Sequence, residues 1–365
     1  DYAAQTGDTL PALAARFNTT EREIRQANPV LPQEVTTLPA GLPLKIPIYY
    51  QPFWSNPALI LHDSLFINGP AQKGFDAVAF VQSKPGWFKD YEFFTGQRTH
   101  KGGELINLIA VDYSLSPRLL LALVEWESGC VNSSQDCPLE GGYVLGVHDF
   151  LRHSLYGQLS WAAHHLAQGY YAWRRGECPP SDGLDPLLAR QLQALPSELN
   201  AGTVALAYTF ARLRQAQNDA GLAGRAGGLA ADLDPESGFA AFYRRMFGDP
   251  WQRARQAGDI FPPDVEQPAL VLPFEPGWTW SFTSGPHAAW EDAGALSALD
   301  FAPPSGASGC LPSKAWITAA AAGRVARSEN GVVVLDLDGD GFEGSGWAVL
   351  YLHVAAEGRA PVGRV

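Results

Sequence analysis

The sequence lacks the features that would place it on nucleic acid or in a membrane. Lys and Arg number 26 against 38 Asp and Glu, a formal net charge of −12, and no basic cluster offsets this excess. The sequence therefore lacks the cluster of positive charge that a nucleic-acid-binding surface needs. No stretch reaches the roughly 18–20 uninterrupted apolar residues of a membrane span, because Asp112, Pro117 and Arg118 interrupt the best run, at 105–126. We expect neither a nucleic-acid partner nor a membrane span.

Cysteine is scarce, at four residues. Cys130 and Cys137 flank a short polar loop, a spacing that suits a small disulfide ring better than zinc. Four cysteines allow three full connectivities, so the pairing of Cys178 and Cys310 stays open. The chain begins at Asp1 without the basic and apolar regions of a signal peptide, so we expect the signal to be absent or already removed.

Length and composition predict several globular domains. The chain has 365 residues, 46% of them hydrophobic and 18% charged, and domains usually take roughly 100–200 residues. Changes in pattern divide it into five segments: a small module at 1–48, an aromatic and Pro-rich linker at 49–102 that packs on the middle domain, a helical middle domain at 103–258, a second linker at 259–271, and a β-rich segment at 272–365. The prediction is a multidomain α+β protein.

The first 48 residues predict a strand, two helices and a strand. Asp8 can cap a first helix bearing Leu10 and Phe17, and a second helix ends at Asn28-Pro29. These motifs, together with a Gly-Asp-Thr-Leu turn, resemble a LysM module, a βααβ binder of N-acetylglucosamine polymers. The resemblance places a glycan groove between two loops and implies these binding residues: Gly7, Asp8, Thr9, Leu10, Asn28 and Pro29. Asp8 and Asn28 also have the simpler interpretation of helix caps.

The middle of the chain has helical periodicity from Gly103 to about Gly258, with Ser116 as a cap, Pro117 at a first helical position and a loop at 222–238. The segment 116–129 ends in Glu127-Ser-Gly and resembles the catalytic segment of lytic transglycosylases, which have a lysozyme-like fold. The resemblance implies that Glu127 is a general acid, with a pKa raised by partial desolvation beside Trp126. The alternative is that Glu127 only ends a helix on a scaffold, with Glu125 at the packing edge.

The last segment carries β signals at 278–282, 315–319, 324–327, 332–335 and 348–353, which predict an antiparallel sheet. His287, Asp300 and a Tyr351-Leu-His353 run occur in the order seen in the lysostaphin/LytM-type zinc endopeptidases of peptidoglycan, which they resemble. The resemblance implies that His287 and Asp300 bind zinc and that His353 is a catalytic histidine. A further His-x-His segment completes the metal site in that family, and the 365 residues end at Val365 before one, so we expect weak zinc binding or none.

An acidic run, Asp336-Leu-Asp338-Gly-Asp340-Gly-Phe-Glu343, places four carboxylates in eight residues. Its start matches an EF-hand-like calcium loop, although the expected Glu at the twelfth position is Trp347. The same residues also suit a solvated hairpin turn. Calcium is therefore a possible second metal.

Together these resemblances predict an exported cell-wall protein that binds peptidoglycan through LysM and cleaves it. Zinc-dependent cutting of cross-link peptides is the first interpretation, with a possible second activity on glycan. The competing hypothesis is a non-catalytic glycan-binding or envelope-assembly protein built from degenerate hydrolase domains. Both place the protein outside the cell or in the envelope, and neither fixes the oligomeric state.

Overall fold

A computed structural model describes residues 2–17, 19, 21–46, 59–96, 98–133, 142–222, 227–260, 266–304, 311 and 313–365. The chain divides into two compact units: the first joins residues 1–63 to 138–248, and the second joins 64–137 to 249–365. The predicted α+β architecture is confirmed, because helices dominate the middle of the chain and the last described strands lie near its C-terminal end. The division into five segments stays a prediction.

The N-terminal module has the predicted βααβ order: β1 (Tyr2–Ala3), α1 (Leu10–Arg16), α2 (Glu21–Ala27) and β2 (Pro43–Leu44). Strands β1 and β2 pair antiparallel, and apolar residues at helical spacing, among them Leu10, Leu13 and Phe17, form a buried core with Ile24. The prediction that Asp8 caps α1 is wrong. Thr9 holds that place, since its Oγ1 accepts a hydrogen bond from the Ala12 amide at 3.3 Å.

The rest of the first unit is helical, with α7 (Leu155–Arg174), α8 (Pro186–Gln193), α9 (Ala201–Asp219), α10 (Gly228–Asp232) and α11 (Phe239–Phe247). Helix α10 lies inside the segment predicted to be a loop. Helices α7 and α9 pack closely because Gly169 has no side chain, and a Cβ there would lie 2.9 Å from Tyr208. The N-terminal module packs on this unit, since the Arg16 guanidinium lies 6.0 Å from the Trp173 ring centre of α7.

A short helix, α3 (Asp63–Phe66), lies where the chain passes into the second unit, which continues with α4 (Ala77–Gln82), the hairpin β3 (Glu92–Phe94) and β4 (Thr99–Lys101), α5 (Gly102–Asp112), α6 (Pro117–Ser128) and α12 (Pro250–Ala257). Residues 59–102 are thus more regular than the predicted linker, and α4 packs on α5. Helix α6 begins as predicted, with the Ser116 hydroxyl accepting from the Leu119 amide and Pro117 at the first position.

The β-rich segment forms two antiparallel sheets, built from β5 (Ser281–His287), β6 (Ala298–Ala302), β7 (Arg324–Glu329), β8 (Val332–Asp336) and β9 (Ala348–Tyr351). Strand β5 pairs with β6, whereas β8 lies between β7 and β9. Two strand predictions need correction: 315–319 contributes only a single bridge, from Ile317 to Phe274, and β9 ends before His353. Among the described residues, no helix has the length and apolar character needed to cross a membrane.

Candidate functional site

The residues expected to bind glycan lie on two loops of the N-terminal module, except Leu10, which is the first residue of α1, and they differ in their access to solvent. Gly7 is exposed with φ 91°, a conformation that favours glycine, and Pro29 is exposed as well. Asp8 is half-buried and accepts hydrogen bonds from the Tyr2 hydroxyl and the Gln5 amide, both at 2.7 Å. Leu10 is fully buried, so its side chain belongs to the core rather than to a groove.

Asn28 has a structural role in this module. Its Nδ2 donates to the carbonyl oxygens of Ile24 at 2.7 Å and Lys45 at 2.6 Å, and its Oδ1 accepts from the Lys45 amide at 2.8 Å. The residue is only 7% exposed. The side chain therefore ties the end of α2 to the residue that follows β2, which fixes the shape of the loop at Pro29.

Glu125 and Glu127 both lie in the last turn of α6 and are half-buried. Glu125 accepts hydrogen bonds from the amides of Val131 at 2.8 Å and Asn132 at 3.1 Å, so its carboxylate fastens the chain that leaves the helix. Between Glu125 and these two amides, the chain turns at Gly129, which has φ 69° and ends the helix. Glu127 keeps its predicted place at the helix end, and its role as an acid stays a prediction.

The cysteine pair predicted to close a loop after α6 is described only in part. Cys130 is fully buried and disulfide-bonded. Cys137 lies outside the described residues, so its pairing with Cys130 stays a prediction. Cys178 is a free thiol, and burial raises its pKa.

His287 and Asp300 come together on the paired strands β5 and β6. The His287 Nε2 lies 3.0 Å from an Asp300 carboxylate oxygen, and the opposite ring nitrogen, Nδ1, lies 2.7 Å from the Ala288 carbonyl oxygen. Both side chains are open to solvent, at 40% and 53% exposed. The Ala288 carbonyl, and then the Asp300 carboxylate, raise the pKa of His287 because they stabilise the imidazolium.

This arrangement fits a zinc site in its donor chemistry. Imidazole nitrogen and carboxylate oxygen are both zinc ligands, and here they face each other across one hairpin. A zinc-bound histidine usually donates its other N–H to a carbonyl or carboxylate, which fixes the ring, and the Ala288 carbonyl is placed to accept that proton. Within the described ranges, no third His, Cys, Asp or Glu joins the pair to form a three-ligand group.

His353 is exposed and follows β9, in the sheet that does not contain His287 and Asp300. Its φ is 61°, in the left-handed region that residues other than glycine seldom occupy. Such a conformation costs of the order of 1 kcal/mol, and strained residues are concentrated at functional sites. The catalytic role of His353 stays a prediction.

The acidic run forms a tight turn between β8 and β9. One carboxylate oxygen from each of Asp336, Asp338 and Asp340 lies within 4.8 Å of the others. Asp336 is fully buried, and its carboxylate accepts from the backbone amides of Asp338, Gly339 and Gly341. Burial, and then the proximity of Asp336, raise the pKa of Asp338. Calcium binding here stays a prediction.

Two partners of this turn were not predicted from the sequence. Lys73 Nζ lies 2.6 Å from an Asp340 oxygen and lowers the pKa of that carboxyl. Glu343, which the sequence groups with the aspartates, pairs instead with Arg327 of β7, whose Nε lies 3.0 Å from Glu343 Oε1. The partners lie 267 positions apart for Lys73 and Asp340 but only 16 apart for Arg327 and Glu343, and no local pattern couples either pair. The only available signal is that Arg327 interrupts the apolar alternation of a strand.

Comparison with known families gives two matches. A model described as the LysM domain matches residues 2–47, which agrees with the fold of the N-terminal module. A model described as the LasA N-terminal domain matches residues 59–262, more than half of the chain. Neither match reaches the β-rich segment or shows a lysozyme-like fold, and no curated protein and no solved structure matches the chain. The two matches indicate a multidomain protein related to peptidoglycan.

Proposed function

Because this chain belongs to the LasA N-terminal domain family, we propose that it is an exported cell-wall hydrolase that binds peptidoglycan through its LysM module. The proposed reaction is zinc-dependent cleavage of cross-link peptides by the β-rich segment. A binding module joined to a catalytic segment raises the local substrate concentration without adding a catalytic contact.

The observation that carries this proposal is the geometry of His287. Its Nε2 faces the Asp300 carboxylate at 3.0 Å, while Nδ1 is held by the Ala288 carbonyl at 2.7 Å. A histidine in a purely structural ion pair needs no second fixed partner, whereas a metal ligand needs its ring oriented. The exposure of both side chains leaves room for an ion and for substrate.

In this proposal His287 and Asp300 hold the zinc, and His353 takes a proton during the reaction. A zinc ion held by these two residues would supply Lewis-acid chemistry, which makes water a better nucleophile near neutral pH. The His287 Nδ1–H would donate a hydrogen bond to the Ala288 carbonyl oxygen, so Nε2 would be the nitrogen that holds the metal. His353 follows β9 and has a left-handed backbone conformation. We assign to this conformation the role of orienting the His353 side chain.

A second candidate is the non-catalytic glycan-binding protein. It is favoured by one observation: among the described residues, His287 and Asp300 have no third protein ligand, and a catalytic zinc site ordinarily has three. Glu127 offers a separate route to catalysis on glycan, which needs a carboxyl group that keeps its proton.

The test combines metal binding with digestion of purified peptidoglycan by the 365-residue chain. We expect weak zinc binding, because the described residues supply two protein ligands, and we expect the zinc-loaded chain to release new amino groups from peptidoglycan, which report peptide cleavage. His287→Ala should lose both. His153→Ala is the matched control, because the His153 Nδ1 is also 2.6 Å from a backbone carbonyl, that of Phe150.

Four results separate the candidates. Zinc-dependent amino-group release that is lost in His287→Ala but kept in His153→Ala supports the peptidase. Release of anhydro-muropeptides without new amino groups, abolished by Glu127→Gln, assigns the activity to glycan cleavage. Binding to insoluble peptidoglycan without either product favours the non-catalytic protein. Absence of binding to peptidoglycan would contradict the assigned role of the LysM module.

A further inference from the structure

Arg327 connects the β-rich segment to a helix of the family-matched region in the second unit. Its Nη1 lies 3.2 Å from Asp112 at the end of α5, and its Nε lies 3.0 Å from Glu343 in the turn after β8. The three side chains are 11%, 12% and 18% exposed. Two largely buried carboxylates therefore share one guanidinium, and the cluster is one positive charge short of neutral.

Further contacts join the β-rich segment to residues 68–98 of the same unit. Lys73 pairs with Asp340 at 2.6 Å, and Arg98 pairs with Glu329 of β7 at 3.5 Å. The backbone of Gly344 approaches the Asn68 carbonyl so closely that a Cβ at 344 would clash with it. The two ion pairs are exposed to solvent and contribute little. The Arg327 cluster, which is much less exposed than either ion pair, is thus the electrostatic centre of this contact.

Burial in this cluster acts strongly on the Asp112 carboxyl. Burial raises its pKa to about 6, and the Arg327 guanidinium only partly offsets that effect. The charged groups that act on Asp112 from the packed β-rich segment are Arg327 and Glu329 of β7 and Glu343 of the turn. Burial also raises the pKa of Glu343. Burial is the largest cause of both shifts, and Arg327 offsets each of them only in part.

We propose that the β-rich segment docks on the helical part of the second unit with uptake of a proton at Asp112, so that mild acid closes this contact and neutral pH loosens it. The sign follows from linkage. A carboxyl whose pKa is higher in the closed state binds a proton on closing, so closing is favoured as pH falls through about 6 toward the ordinary value of 3.8. One proton corresponds to about a tenfold change in the closing equilibrium per pH unit across that window.

The test is hydrogen exchange on the whole chain between pH 4.5 and 7.5, corrected for intrinsic exchange. Peptides covering residues 64–76 and 340–347 report on the contact at Asn68 and Gly344. We expect their protection to fall by about tenfold or more from pH 4.5 to pH 7.5. Asp112→Asn, which imitates the protonated side chain, should stay protected throughout. Asp90→Asn, at an exposed site in the same unit, should behave as the parent.

Protection that does not change with pH in the parent would overturn the proposal, as would an Asp112→Asn protein that keeps the parent's dependence. Arg327→Met gives an independent test if Asp112→Asn does not fold. This change leaves two buried carboxylates without a cation, so closing should take up about two protons and the dependence should steepen toward a hundredfold per pH unit. An unchanged slope in Arg327→Met would also contradict the proposal.

Discussion

Replacing Asn28 tests whether this residue of the LysM module stabilises the fold or contacts glycan directly. Asn28→Ala removes three hydrogen bonds with the Ile24 and Lys45 backbone in a side chain that is 7% exposed. At about 1 kcal/mol for each bond, the expected loss of unfolding free energy is about 2–3 kcal/mol. A module of this size has only a few kcal/mol of stability from its core, so the variant should lose most of its folded module.

The measurement is hydrogen exchange of residues 2–46 in the whole chain, together with binding to insoluble peptidoglycan. We expect Asn28→Ala to lose protection and binding together. Val30→Ala is the control, because Val30 is 84% exposed on the same loop and should keep the parent's protection. Protection within about 0.5 kcal/mol of the parent in Asn28→Ala, with binding lost, would refute the structural role and restore direct glycan contact.

Three further changes test other parts of the molecule. Glu125→Gln should lower the unfolding free energy by about 1–2 kcal/mol in urea denaturation, because its carboxylate accepts two backbone amides, and an unchanged midpoint would contradict this. Gly346→Ala should destabilise the acidic turn by about 1–3 kcal/mol, because Gly346 has φ 58° and a Cβ there would clash with the Asp338 carboxylate. Gly339→Ala is the control and should cost less, because a Cβ at that position meets no neighbouring atom. Apparent zinc affinity, measured by titration, should keep rising with pH beyond 6.5, because zinc needs the deprotonated His287 ring and the pKa of His287 is raised. An affinity that reaches a plateau below pH 6.5 would contradict the raised pKa.

Local sequence signals were enough for the elements whose stabilising contacts are close in the chain. Ser116 and Pro117 start α6 as predicted, because a cap and a proline at the first turn act on neighbouring residues. The βααβ order of the N-terminal module followed from apolar spacing and turn residues. His287 and Asp300 were placed on neighbouring strands, and β5 and β6 pair with each other.

Other assignments failed where a distant partner decides the outcome. The sequence alone determined that the protein has a LysM-like start, a helical middle and an antiparallel end, because hydrophobic periodicity and turn chemistry are local. Tertiary structure decided which polar groups meet. Asn28 bonds to Lys45, Glu343 pairs with Arg327, and Asp112 of α5 is brought beside Arg327 of β7. Burial and charge pairing depend on residues up to 267 positions apart, as in the Lys73–Asp340 pair, and no local pattern encodes them.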